Sequence, residues 1–221
     1  MKPLLYNYSF VFLATGVLCS LAGCGTIVTP FSGSATTTSG AEKPATALPA
    51  VSSSVAAFFM PIDRAKERVT KKFFGIFVSP QNSPVQPERF RGYHTGVDFE
   101  IFSGEQDASV SINAICSGTI LRKGSVSGYG GMLVQFCEFQ GEPITVVYGH
   151  LNLASILTKL GDQLKVEEHI GILGEGNSSE TDGERKHLHL GIHKGKAMNI
   201  RGYASTKSEL NEWLDFGEFL K

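Results

Sequence analysis

The 221 residues carry 20 Lys and Arg against 21 Asp and Glu, a net charge of −1, and 42% are hydrophobic. That apolar fraction is enough for a real core and excludes wholesale disorder. The charge balance excludes a nucleic-acid binder, which needs a basic excess to neutralise phosphates. Only Lys2, Glu42 and Lys43 are charged in residues 1–60, so the first quarter of the chain is a different material from the rest.

The chain opens with Lys2, a nearly continuous apolar run at residues 10–18, and the small residues Ala22 and Gly23. This layout predicts a secretory signal peptide over residues 1–23, too short and weakly flanked for a transmembrane span. Leu21-Ala22-Gly23-Cys24 resembles the lipobox of bacterial lipoproteins. The resemblance implies that Cys24 is acylated and becomes the new N-terminus, held at a membrane by burying methylenes at roughly 0.8 kcal/mol each. In residues 29–54 only Phe31, Glu42, Lys43, Leu48 and Val51 are not Ser, Thr, Ala, Pro or Gly. Such a stretch cannot offset the entropy of ordering, so residues 24–54 are expected to be a flexible tether.

Residues 55–221 read as one β-rich domain. Short apolar runs alternate with turn signals; Val110, Ile112, Ala114 and Cys116 share a strand face, and residues 132–139 and 144–148 are rich in β-branched and aromatic types. The cadence predicts an antiparallel sheet or sandwich, mainly β, with short helices near residues 63–72 and 207–214, the second capped by Ser205 or Thr206. Gly-rich breaks are expected at 124–131, 171–176 and 191–195. Apart from Cys19 and Cys24, the cysteines are Cys116 and Cys137, an even pair in a chain bound for an oxidising space. A hairpin centred near residue 127 brings them roughly opposite one another, so a disulfide and two buried thiols are both open.

All six histidines, His94, His150, His169, His187, His189 and His193, follow residue 93. In Lys186-His187-Leu188-His189-Leu190-Gly191-Ile192-His193, strand alternation puts Leu188, Leu190 and Ile192 on one face and His187, His189 and His193 on the other. At roughly 3.3 Å per residue, His187 and His189 stand about 6.6 Å apart and can address one small site, whereas His193 is about 13 Å beyond His189. His193 therefore reads as a surface or structural residue, and His169, after a charged run, as part of a solvated turn. Tyr93-His94-Thr95-Gly96-Val97-Asp98 adds an imidazole and a carboxylate, and Tyr148-Gly149-His150 another imidazole. Catalytic zinc takes three protein ligands and leaves a fourth position open. His94, Asp98 and one of His187 or His189 make such a set.

HTGVD at 94–98, YGH at 148–150 and HLH at 187–189, in that order, resemble the lysostaphin/LytM-type zinc endopeptidases of bacterial cell walls. Ser117-Gly118-Thr119-Ile120, Gly128-Tyr129-Gly130 and Leu160-Gly161-Asp162-Gln163-Leu164 extend the likeness, which covers residues 72–196. It implies one zinc held by His94, Asp98 and His189, with His150 and His187 as the non-ligand histidines beside it. His150 is then the base and His187 the acid or oxyanion donor, with the reverse split open. Leu190-Gly191 stands where the family often has an aromatic and an acidic residue, a departure that bears on substrate preference.

The implied activity is amide hydrolysis in the stems or cross-links of peptidoglycan, by a monomeric, extracytoplasmic, membrane-anchored lipoprotein with no nucleic-acid partner. The alternative is a non-catalytic relative that binds the wall and regulates another hydrolase; a third reading is a zinc-capturing envelope lipoprotein. The intact five-residue set favours catalysis. Loops 79–92 and 174–185 are expected to wall the groove, and whether residues 55–72 pack on the domain or mask the site is open.

Overall fold

The computed structural model describes residues 58–221; the expected signal peptide over 1–23, Cys24, the expected tether over 24–54 and residues 55–57 lie outside the described residues. One helical turn, α1 (Ala65–Arg68), precedes twelve strands: β1 (Phe77–Val78), β2 (Gly92–His94), β3 (Gly96–Glu100), β4 (Ser111–Asn113), β5 (Gly118–Val126), β6 (Gly130–Phe139), β7 (Glu142–Gly149), β8 (Gln163–Leu164), β9 (His169–Ile172), β10 (His187–Lys194), β11 (Tyr203–Ala204) and β12 (Trp213–Leu214). Short 3-10 turns occupy Leu153–Ser155, Lys207–Glu212 and Phe216–Leu220. The expected class, mainly antiparallel β with few short helices, is the one observed.

The main sheet runs β12-β10-β7-β6-β5-β8, and β3 pairs with β10 along the edge that β12 continues. Two small sheets, β1-β2-β11 and β4-β9, flank it. Alternation splits the central strands into two faces. Val97 and Phe99, Ile144, Val146 and Tyr148, and Leu188, Leu190 and Ile192 enter the main core with Ile112, Ile115 and Leu133. Each of these large apolar side chains contributes roughly 1.5–3 kcal/mol by leaving water. The Tyr148 hydroxyl in that core donates to Gln135 Oε1 at 3.0 Å and accepts from the Ile115 amide at 3.0 Å, so the buried phenol is satisfied. The opposite face carries a smaller apolar cluster of Tyr129, Met132, Val134 and Val147, and beside it the polar residues Asp98, His187 and His189. Register sets His189 across from Asp98 on one side and from Gly149 on the other.

The helices are shorter than their sequence patterns. Only Ala65–Arg68 of the 63–72 segment is helical, because the chain must then extend: the Lys72 carbonyl accepts from the Asp98 amide at 3.1 Å. Of residues 207–214, the last two leave the helical path to pair with the end of β10, Leu214 opposite Ile192. Thr206 is the N-cap, but its side chain caps no backbone amide. Gly124, Gly171 and Gly191 lie inside strands rather than at breaks, Gly191 directly opposite Gly96.

The β5–β6 hairpin pairs Val126 with Gly130, one residue further along than expected. Cys116 and Cys137 are joined by a disulfide, their Cα atoms 6.3 Å apart. No helix among the described residues is long and apolar enough to cross a membrane.

Candidate metal centre

Three elements converge on one point. β2 ends with His94, β3 carries Asp98, and β10 carries His189. His94 Nε2 lies 3.2 Å from Asp98 Oδ1 and 3.0 Å from His189 Nδ1, and His189 Nδ1 lies 3.1 Å from the same carboxylate oxygen. All three side chains are buried. Gly96 makes the approach possible: a Cβ there would sit 2.5 Å from the Leu190 carbonyl oxygen and 2.8 Å from His189 Nε2.

The chemistry of these donors fits a cation. His94 Nδ1 is 3.2 Å from the Phe73 carbonyl, which can only accept, so the ring's proton sits there and Nε2 turns its lone pair toward the carboxylate. Fixing a ligand imidazole through its other nitrogen is the usual role of an outer hydrogen bond in metal sites. The three facing atoms lie within 4.8 Å of one another, close enough to share one ion. His189 Nε2 is buried without a hydrogen-bond partner among the described residues. Two imidazoles and one carboxylate are a donor set that suits zinc.

The Asp98 carboxyl is fully buried, which alone would raise its pKa; electrostatic attraction to the surrounding imidazoles and hydrogen bonds from His187 and His189 instead hold it well below the usual carboxylate range. Burial pushes His189 down to about 4 despite its contact with Asp98. Arg185 Nη2 donates to Asp98 Oδ2 at 2.9 Å, and Arg185 Nε donates to both oxygens of Glu100. This brace on Asp98 was missed from sequence. Arg185 shares the strand period with His187 and so was findable in principle, but its acidic partners were not.

His187 and His150 stand beside the cluster, ring centroids 4.2 Å apart. His187 Nδ1 donates to the Arg185 carbonyl at 2.8 Å, turning Nε2 to within 3.3 Å of Asp98 Oδ2. His150 follows β7 with φ 63°, in the left-handed region. Burial, and then the neighbouring His187 charge, hold its imidazole well below the ordinary histidine value, so it is neutral at neutral pH. Its Nδ1 is buried with no partner among the described residues.

Asp98, His150, His187 and His189 line a cleft of about 370 Å³. Loop 79–92 contributes Phe90 and Arg91 to its walls, and loop 174–185 contributes Glu184 and Arg185. Arg89 ties the two loops, donating from Nε to Glu184 Oε1 at 3.1 Å and from Nη2 to the Asp182 carbonyl at 2.8 Å. Residues 58–71 line none of the cleft, while Lys72 and Tyr203 do. His193 is buried at the far end of β10, its ring edge-on to Trp213 at 5.0 Å, and is not a surface residue. His169 is exposed, but it opens β9 rather than sitting in a turn.

Residues 92–200 match the model of Peptidase family M23. The chain is similar to Endolysin 2638A of Staphylococcus phage 2638A, 27% identical over 138 residues, which are 57% of this chain and 27% of that protein. It thus spans about a quarter of the length of that curated relative. Among solved structures it is similar to Csd3 of Helicobacter pylori (23% identity, 68% of this chain and 35% of that one, TM-score 0.42). It is also similar to a zinc-containing peptidase of Vibrio cholerae (22% identity, 62% and 37%, TM-score 0.40). The three converging donors and both flanking histidines all fall within the segment, residues 92–200, that matches the Peptidase family M23 model.

Proposed function

We propose that this domain is a zinc-dependent endopeptidase that hydrolyses amide bonds in the peptide part of bacterial peptidoglycan. One observation carries the reading: a cluster of three buried metal donors, two of them lining a cleft, stands beside a neutral histidine in that cleft whose Nδ1 is unpartnered among the described residues. His94, Asp98 and His189 are the residues that would hold the ion. When bound, zinc polarises the scissile carbonyl and brings the pKa of a ligated water toward about 7.

The remaining work falls to the chain's own groups. His150, neutral and with a free lone pair, accepts the proton of the attacking water. His187 directs Nε2 into the same space beside Asp98, where a proton can be held and passed to the leaving amine nitrogen. Arg185 keeps the Asp98 carboxylate oriented and charged. The lipobox at Cys24 and the Ser/Thr/Ala-rich tether support an exported, membrane-anchored setting from which the domain reaches the wall polymer.

The test is release of new amino termini from purified peptidoglycan by the full chain in detergent with one equivalent of zinc. His189→Ala is expected to lose both zinc and release. His150→Ala is expected to keep zinc near one per chain while release drops by about 100-fold or more. Zinc-loaded wild-type protein that binds peptidoglycan and releases nothing would overturn the endopeptidase reading in favour of a regulatory one.

A further inference from the structure

A buried ion pair and a tyrosine border the cleft, and both fall outside residues 92–200, the matched family segment. Lys72 and Glu88 are almost wholly buried, with Nζ 2.6 Å from Glu88 Oε2. Glu88 also accepts from Ser83 Oγ and from the Phe90 amide, each at 2.9 Å. Lys72 Nζ then donates to the Tyr203 hydroxyl oxygen at 2.9 Å. An ammonium can only donate. The phenol oxygen is therefore an acceptor in this contact, and its own proton must point elsewhere. No acceptor for that proton stands within hydrogen-bond distance among the described residues, and both Tyr203 and Lys72 line the cleft.

Sheet register explains why Tyr203 is there. On β11 it is the partner directly opposite His94 on β2, and directly opposed residues project to the same face. The rings of His94 and Tyr203 lie 5.4 Å apart, and Phe90 stacks on Tyr203 at 5.3 Å. The phenol is thus clamped in position by two rings and one ammonium. Burying a Lys–Glu pair merely to hold a space-filling phenol is a poor stabilising device, because desolvation consumes most of the attraction. A fixed, outward-turned O–H is a useful one, since preorganised donors aimed at developing negative charge lower barriers without reorganising.

We infer that Tyr203 is a substrate-contacting catalytic residue that donates a hydrogen bond to the carbonyl oxygen of the scissile amide as it becomes an oxyanion, and that Lys72, held by Glu88, is its positioning residue. The inference rests on the endopeptidase reading of the same cleft. It divides the cleft into a proton-handling side, His150 and His187, and an oxyanion side, Tyr203.

The test compares wild type, Tyr203→Phe and the paired variant Lys72→Met/Glu88→Gln as full chains with zinc content measured. Tyr203→Phe keeps both ring contacts and removes only the hydroxyl. Two ligands are titrated by calorimetry, alanyl-alanine and its phosphinic pseudodipeptide, whose tetrahedral oxygens mimic the charged state; kcat and KM are measured on peptidoglycan peptides. Tyr203→Phe is expected to weaken the phosphinate and lower kcat by about 100-fold each, with KM, dipeptide affinity and zinc content within twofold. The paired variant is expected to shift the same two quantities in the same direction. Unchanged phosphinate affinity in Tyr203→Phe, or equal loss for phosphinate and dipeptide, would overturn the assignment. A wild type that hydrolyses nothing, while Tyr203→Phe still selectively loses the phosphinate, sinks the endopeptidase reading and leaves the Tyr203 donor standing.

Discussion

His150 is held where an ordinary residue resists going. A non-glycine residue in the left-handed region costs of order 1–3 kcal/mol and persists only when its surroundings over-determine it. Here the Gly174 amide donates to the His150 carbonyl at 2.8 Å, and the next amide, of Leu151, donates to the Gly131 carbonyl at 2.9 Å. The residue before it is equally constrained, since a Cβ at Gly149 would lie 2.4 Å from Tyr129 Cδ1. Tyr129 is itself buried, its ring 5.3 Å from His189 and 5.9 Å from His150. Gly149→Ala is therefore expected to push that ring against both histidines, lowering kcat by about 10-fold or more and stability by about 1–3 kcal/mol. Zinc titration and denaturant unfolding check it; full activity in the variant would mean that the Tyr129 ring yields freely. At this scale the sequence was legible where chemistry is spelled within a few residues, as in HTGVD and HLH. Spacing left His187 and His189 equivalent, because both lie on one strand face. Register separates them: His189 is opposite Asp98, while His187 is opposite Glu100. The roles of Arg185 and Tyr203 were illegible because their partners lie far away in the chain, Asp98 for one and Lys72 for the other.

Among the elements, the β5–β6 hairpin carries a covalent staple on the face away from the cleft. Cys116 and Cys137 belong to the main core, with Leu133 and Tyr148, whereas the cleft-side neighbours on β6 and β7 are Met132, Val134 and Val147. A crosslink spanning 21 residues restricts the unfolded chain by about 3 kcal/mol in the loop-entropy account. Cys116→Ser/Cys137→Ser is expected to lose about that much in urea unfolding while kcat stays within twofold. A large fall in kcat at unchanged zinc content would show that the core side of the sheet governs the cleft. Strand existence was readable from β-branched runs and alternation. Helix length was over-read, because the pattern at 63–72 does not reveal that Arg68 turns back to donate to the Asp63 carbonyl at 2.6 Å and to pair with Glu105.

The folded body as a whole extends past the matched segment at both ends. Phe58 and Ile62 before it, and Leu210, Trp213 and Phe216 after it, are all buried. Removing them would expose the core, at roughly 1.5–3 kcal/mol for each large apolar contact partner lost from it. Set against a typical total of about 5–15 kcal/mol, those losses should be decisive. A chain cut to residues 92–200 is expected to show no cooperative thermal transition, whereas residues 58–221 melt as one unit. A cooperative, zinc-binding 92–200 fragment would contradict this. The sequence made the start of the domain visible through its composition change, but nothing local announced that its last residues close the core.

The aromatic group around Phe58 has a further consequence. Its ring stacks on Phe139 at 3.9 Å and meets Phe219 edge-on at 4.9 Å, so the beginning and the end of the described chain touch. In topological terms the domain is almost a closed loop of chain. Its order of strands could be rotated, with the old ends joined by a short linker and new ends opened at an exposed tip such as Gly141, for little more than the entropy of closing a few residues.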